Sequence, residues 1–362
     1  LLRILIIPPA PRHERAPVAA VAALATGLGT ALTGFFPSFV PVILTTLLMS
    51  FGFHFLGRNQ SLLLQYFDVR TTPVSWGKLR GLAAGGSLAA SVFVFFCSDF
   101  LPYTMMFLIV GVLCMFTGVW GLFLDPTNKE LPIQSKNGFP QEILAVLPAD
   151  LFLGARRQIF IVFALFLLVE HFRFSVNTVS VLFMINYAIN WFLNPLIGRT
   201  INRIGERKLL SIEYSTAILV FTGYATTERG VAGVLYIIDY IVFNFSIALR
   251  TFFQKIAEPQ DIAPTMAVAQ TINHVAAIFV PALGGWLWVE FGYQIPFFIG
   301  AALSSCSLLL VQIIDREIRL HAPAKLDAHK EHVKESSYSS PQEHLYARYL
   351  RSLALGLALL LP

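Results

Sequence analysis

The chain has 362 residues, of which 56% are hydrophobic and 13% charged, and it carries a net charge of +5. That charged share is about half the level of a soluble domain. It is too small to cover the apolar surface, which excludes a water-soluble globular fold and makes lipid part of the solvent. The basic excess lies in short loops between apolar runs and not along one face, which speaks against a nucleic-acid partner.

Residues 1–16 begin as a short apolar scrap followed by Pro8-Pro9-Ala10-Pro11-Arg12-His13-Glu14-Arg15, without the layout of a secretory signal. Apolar runs then fall at 18–34, 39–57, 81–98, 103–124, 143–169, 176–198, 209–226, 231–250, 265–289 and 293–314. Most are long enough to cross about 30 Å of hydrocarbon at about 1.5 Å per residue. All ten are expected to be helices, because only helices and closed barrels satisfy the backbone in lipid and the alternation of barrel strands is absent. The expected fold class is therefore an all-α membrane protein with about ten transmembrane helices.

The loops set an expected orientation. Arg12 and Arg15 precede the first run, and Arg58, Arg70, Lys78 and Arg80 separate the second from the third. Arg199, Arg203, Arg207 and Lys208 follow the sixth and Lys255 the eighth, whereas the opposite-side loops carry only Arg173 and Arg229. This asymmetry places the basic loops and the C-terminus in the cytoplasm, and Thr227 on the other face. The polar stretch 125–142 is a cytoplasmic linker, which divides the chain into 1–124, the linker, 143–315 and a polar tail at 316–362. The tail lacks hydrophobic periodicity from His321 to His344, so it is expected to be disordered, and the closing Leu353–Pro362 is too short to span a bilayer.

The cationic turn after the sixth run reads Gly198-x-x-x-Asn202-Arg203-x-Gly205-Glu206-Arg207-Lys208. On residues alone it is a solvated turn on the positive side of the membrane. Its spacing also resembles the G-x-x-x-D-R-x-G-R-R/K loop of the major facilitator superfamily, with Asn202 where the family usually has Asp. That resemblance implies two pseudo-symmetric six-helix halves and assigns the turn to the junction of helices 8 and 9. Gly198, Asn202, Arg203, Gly205 and Arg207 would then form a loop that gates the conformational change. Counted back from it, the runs are helices 3–12 of a twelve-helix plan: four in a partial N-terminal half (helices 3–6) and six in the C-terminal half. Helices 1 and 2 are then missing, and a chain opening on Leu1 fits a truncated product. A second resemblance is weaker. Gly77, Gly81, Gly85 and Gly86 in helix 5 approach the glycine signature of antiporters, but Leu82 replaces its proline and the position is shifted, so close helix packing is the competing reading.

An ionisable side chain at the centre of a span costs at least about 2.5–3.5 kcal/mol and calls for a reason. Helix 7 holds Asp150, Arg156 and Arg157, helix 10 holds Asp239, and helix 11 holds Asn273 and His274. By helical rise, Arg157, Asp239 and His274 lie within a turn or two of the midplane, where such transporters place their sites. Two readings stand. In the first, Arg157 or Arg156 joins Asp239 and His274 in a polar cluster, the Arg holding an anionic group and Asp239 or His274 taking a proton. In the second, a buried Arg–Asp pair only locks helix 7 to helix 10. Asn186, Asn190 and Asn194 recur every four residues as a polar stripe on helix 8, and Asn244 follows Asp239 by five residues. Glu213 is read as lying close to the end of helix 9. His54, Arg58, Asn59 and Gln60 end helix 4, and Arg58 is read as interface charge. Of adjacent arginines pointing about 100° apart, one is expected to face the cavity and the other to pair with Asp150 or snorkel.

Cys97, Cys114 and Cys306 all lie inside apolar runs without ligand spacing and read as buried small hydrophobes. No phosphate-cradling glycine loop, zinc spacing or nucleophile–base arrangement occurs, so no metal, no cofactor and no enzymatic activity is expected. The functional expectation is a secondary active transporter of the cytoplasmic (inner) membrane, working by alternating access with proton coupling. Its expected partners are a small solute (an anion or zwitterion before a lipophilic cation), the proton and the lipid bilayer, and it is expected to be a monomer. The alternatives are a facilitator-like sensor or scaffold, or an inert fragment.

Overall fold

The structure is a computed structural model that describes residues 15–36, 38–57, 71–123, 146–257 and 262–313, with Arg316. The linker 125–142, Arg58, Asn59, Gln60, the tail beyond Arg316 and the side chains of His54 and Asp150 lie outside the described residues. Among the described residues, ten helical rods correspond to the ten apolar runs. Four come before the linker: α1 (Arg15–Phe35), α2 (Phe39–Gly57), α3 (Thr71–Cys97) and α4 (Tyr103–Leu122). After it come α5 (Val146–Gln158), α6 (Val176–Ile204), α7 (Glu206–Thr226), α8 (Arg229–Phe243), α9 (Ile247–Ile256), α10 (Ile262–Phe291) and α11 (Gln294–Val311). The rod of α5 continues through two wider π-helical stretches, Ile159–Ala164 and Leu167–His171, and a 3-10 turn at Asn244–Ser246 joins α8 to α9. Seven of the described helices are long and apolar enough to cross a membrane, and Ala20–Phe35 and Phe39–Phe53 are shorter apolar helices.

Several rods are longer than their apolar runs. α3 begins at Thr71, ten residues before the run at 81–98, because Lys78 and Arg80 interrupt the apolar pattern without interrupting backbone hydrogen bonding. α6 continues to Ile204, so most of the cationic stretch is helix and Gly205 alone separates α6 from α7.

The chain divides into two compact units. One contains α1–α4 and the stretch Tyr187–Leu196 of α6; the other contains the remaining described helices, with the rest of α6. In the first unit, α1 runs between α2 and α4 through small residues. A methyl group on Gly27 would lie 2.5 Å from the Gly111 carbonyl oxygen and 2.9 Å from the Met115 nitrogen, so only glycine permits this backbone approach. Hydroxyls and a thiol then tie the helices together. Thr33 Oγ1 donates to Thr45 Oγ1 at 2.9 Å, Thr104 Oγ1 to the Gly34 carbonyl at 3.0 Å, and Cys114 Sγ to the Ala23 carbonyl at 3.5 Å. Cys114 is thus the buried small residue expected, whereas Cys97 is half-buried and Cys306 is exposed. The glycines of α3 pack in the same way: Gly81 faces the Trp191 carbonyl and the Pro195 ring, and Gly85 lies against the Trp191 indole.

The second unit is built from large side chains. Ile159, Phe160, Phe163 and Leu167 of the α5 rod pack with Phe221 and Tyr224 of α7, Tyr236 of α8 and Phe297 of α11. The wider π turns bring Phe163 against α10, where it stacks on Trp288 at 6.0 Å and approaches Gly284. Local signals end the helices: Ser175 Oγ accepts from the Thr178 amide at 3.2 Å to cap α6, and Gly205 at φ +82° turns the chain into α7. Large apolar side chains stay exposed on the outer faces, among them Phe39, Phe192, Leu219 and Phe279, as expected of helices solvated by lipid.

Candidate functional site

The two arginines of α5 have opposite surroundings. Arg156 is 1% exposed and its Nη2 donates to Oε1 of Glu213, which is 0% exposed on α7. Its guanidinium carbon lies 5.4 Å from the centre of the Tyr214 ring and 5.7 Å from that of Phe243. The ion pair and the two ring faces together offset the desolvation that would otherwise exclude a charge from this interior. Arg157, one residue on, is exposed at the surface of its unit, 5.8 Å from the Phe243 ring and within the fields of Tyr240 and Arg250.

Asp239 of α8 is the third charge. It is 2% exposed, and the Arg156 guanidinium acts on its carboxylate. Tyr224, fully buried on α7, is within electrostatic reach of Asp239 and Tyr236. Among the described residues, Asp239 Oδ2, Arg156 Nε and the Tyr224 hydroxyl are buried without a hydrogen-bond partner. Such atoms are rare in folded proteins and concentrate where something else has to bind or move.

The structure therefore brings Arg156 and Asp239 into one interior and adds Glu213, which the sequence reading had placed near a helix end. Seven residues separate Glu213 from Glu206 at the start of α7, which puts it about 10 Å along the helix axis. A glutamate within Leu209-Leu210-Ser211-Ile212-Glu213-Tyr214 was the available signal. Asn273 and His274 lie on α10. Asn273 Oδ1 lies 2.5 Å from where a Cβ on Gly154 would be, so Gly154 lets α10 close on α5; its Nδ2 donates to the Ala269 carbonyl at 2.9 Å. His274 Nε2 is 3.1 Å from Gln270 Nε2, one turn earlier on α10.

The amide stripe of α6 is a buried face: Asn186, Asn190 and Asn194 are each at most 2% exposed. Along the cationic stretch, Gly198 is buried, Asn202 and Arg203 are exposed and Arg207 is half-buried. Glu206 (3% exposed) meets Lys255 Nζ of α9 at 2.6 Å and accepts from Thr251 Oγ1 at 3.2 Å. A carboxylate thus stands beside Gly205, four positions from the expected but absent Asp at 202, and braces α7 to α9.

The model of the Major Facilitator Superfamily matches residues 160–361. Among solved structures, the fold is similar to that of the human organic anion transporter MFSD10 (TETRAN), at 13% identity and a TM-score of 0.61, over 82% of this chain and 77% of that one. A bacterial homologue of the iron transporter ferroportin, in its outward-facing state, aligns at 10% identity and a TM-score of 0.49, over 84% and 99% of the two chains. A search of curated proteins finds no match. With more than half its length matched by the family model and all its described rods helical, the chain is a multi-pass membrane transporter belonging to the Major Facilitator Superfamily.

Proposed function

We propose that the protein moves a small organic anion or zwitterion across the cytoplasmic membrane by alternating access, coupled to the proton. The observation that carries this reading is the contrast between adjacent arginines: Arg156 is neutralised inside the unit, while Arg157 keeps an accessible guanidinium beside Phe243 and Tyr240. A guanidinium of that kind offers a bidentate donor to a carboxylate or phosphate and an aromatic face beside it. The organic anions named for the similar human transporter accord with it. Asp239 is the group we assign to the coupling proton, with Asn273, His274 and the Asn186–Asn190 stripe as polar positions for the solute. The gating element is the Gly198–Arg207 stretch, pivoting at Gly205. The same reading keeps the 199–208 stretch and the C-terminus cytoplasmic, with Thr227 on the opposite face, and the protein monomeric.

Uptake into proteoliposomes tests the proposal. A panel of small radiolabelled carboxylates and one lipophilic cation is offered with and without an imposed pH gradient. Accumulation of a carboxylate driven by the gradient is expected. Arg157→Gln should raise its KM steeply, and Asp239→Asn should abolish accumulation while leaving exchange. Uptake of the cation alone, or carboxylate uptake indifferent to both substitutions, contradicts the reading.

A further inference from the structure

Beside Arg157 the surface of its unit turns aromatic. The α5 rod and α8 run antiparallel, with Arg157 beside Phe243 (5.8 Å from guanidinium carbon to ring centre) and Phe160 beside Tyr240 (6.1 Å between ring centres, edge-on). Phe160 is buried and packs in turn on Tyr236 at 5.3 Å, so it supports Tyr240 from the interior. Tyr240 and Phe243 are only half-buried, and Arg157 is exposed. On α8 the two rings are three residues apart, which separates them by about 4.5 Å along the axis and about 60° in direction. The open part of this surface is one guanidinium at the end of an aromatic shelf about one ring long.

The charge on that shelf is a single one. The Phe243 ring centre lies 5.7 Å from the guanidinium carbon of Arg156 and 5.8 Å from that of Arg157, so the ring divides the two arginines. Arg156, on the interior side, is committed to Glu213. Arg157, on the open side, makes no ion pair among the described residues. Arg250 of α9 acts on Arg157 through its field, but its Nη1 is directed at the Met266 thioether of α10, 3.7 Å away. Beside Phe243 the accessible charge is therefore that of Arg157.

We propose that this shelf selects, among organic anions, a monocarboxylate that carries one aromatic ring next to its carboxyl group. The carboxylate takes the Arg157 fork through two parallel hydrogen bonds. The ligand's ring then lies along Phe243 and Tyr240, toward the turn between α7 and α8, and covers the half-buried faces of both. A short aliphatic acid reaches the guanidinium but leaves those rings uncovered. A dicarboxylate brings its second charge against the ring faces, whose own charge is negative, and is rejected. Tyr240 and Phe243 are thus specificity-determining residues, and Phe160 positions Tyr240. The inference rests on Arg157 as the anion-binding group of the transport reading above, but it requires neither the proton nor the gating element.

Equilibrium binding of radiolabelled phenylacetate to the full chain in lipid nanodiscs, with unlabelled competitors, tests the inference. Saturable binding is expected, displaced by acetate and by succinate only at concentrations about tenfold higher than by phenylacetate itself. Cyclohexylacetate, of similar size but without a π face, should fall between them. Tyr240→Leu and Phe243→Leu should each narrow the gap between phenylacetate and acetate to about twofold, and Arg157→Gln should abolish displaceable binding. No saturable binding of phenylacetate, displacement by acetate or succinate at equal or lower concentration, or an unchanged gap in Tyr240→Leu overturns the proposal. The competitor series uses the unaltered chain, so a poorly folding variant does not remove the test. Binding in the expected order without gradient-driven uptake would sink the transport reading and leave the ligand class standing. Gradient-driven uptake that prefers succinate or acetate would do the reverse.

Discussion

The two units of this transporter solve the same problem, packing helices without help from water, in opposite ways. In the α1–α4 unit the helices approach until backbone meets backbone, at Gly27 and Gly111, and hydroxyls of Thr33, Thr45 and Thr104 add short interhelical bonds. In the α5–α11 unit the spacing is set by Phe160, Phe163, Phe221, Tyr224 and Phe297, and the interior holds Arg156, Glu213 and Asp239. Lipid tails are as apolar as leucine, so burial alone does not drive either association. Close contact of small residues gives a rigid, specific seam at low cost. Wide aromatic packing leaves room for charge, and buried charge allows chemistry at the cost of stability. The two units thus differ in kind: the one packed through glycines holds hydroxyls, and the one packed through aromatic rings holds charge.

Removing one charge should expose that cost most sharply. Arg156→Ala leaves Glu213 in the core without this counter-charge, and a loss of about 3–5 kcal/mol is expected in detergent unfolding. Arg156→Met with Glu213→Leu should recover most of it, since an apolar pair of similar volume avoids the desolvation. A double variant as unstable as the single one would mean that the pair contributes through shape and not charge. In the small-residue unit, Gly27→Val should cost about 2 kcal/mol by forcing α1 away from α4, read as a lower melting temperature. No change there would show that the α1–α4 seam tolerates separation and is not the rigid part.

Smaller effects refine the contrast. Gly205→Ala, at φ +82° with open space around it, should cost about 1 kcal/mol from backbone strain alone. Because the pivot is shared by two helices, it should slow uptake more than it destabilises. Thr33→Val removes the Thr33–Thr45 bond and should cost about 0.6 kcal/mol, the average for such bonds between membrane helices. A loss several times larger would make hydroxyl bonding, not glycine contact, the main tie of that unit.

What the amino-acid order determined by itself is what depends on composition and period: the ten helical rods of the described residues, most of their limits though not the start of α3, and the family, carried by Gly198, Arg203, Gly205 and Arg207. Hydrocarbon leaves the backbone little choice, so run length and apolarity are enough. The choice between Arg156 and Arg157 as the buried one, and the partner it takes, lay outside their reach. Tertiary structure decided which of two adjacent arginines turned inward, because a difference of about 100° in direction selects a partner only once α7 is in place. It also chose Glu213 as that partner, held His274 to Gln270 on α10, and supplied Glu206 with Lys255 where Asn202 lacks a charge. The two ion pairs join residues 57 and 49 positions apart in the chain (156 to 213 and 206 to 255). Sequence spacing cannot encode them, since the energy that selects a buried ion pair exists only after the apolar walls around it have formed.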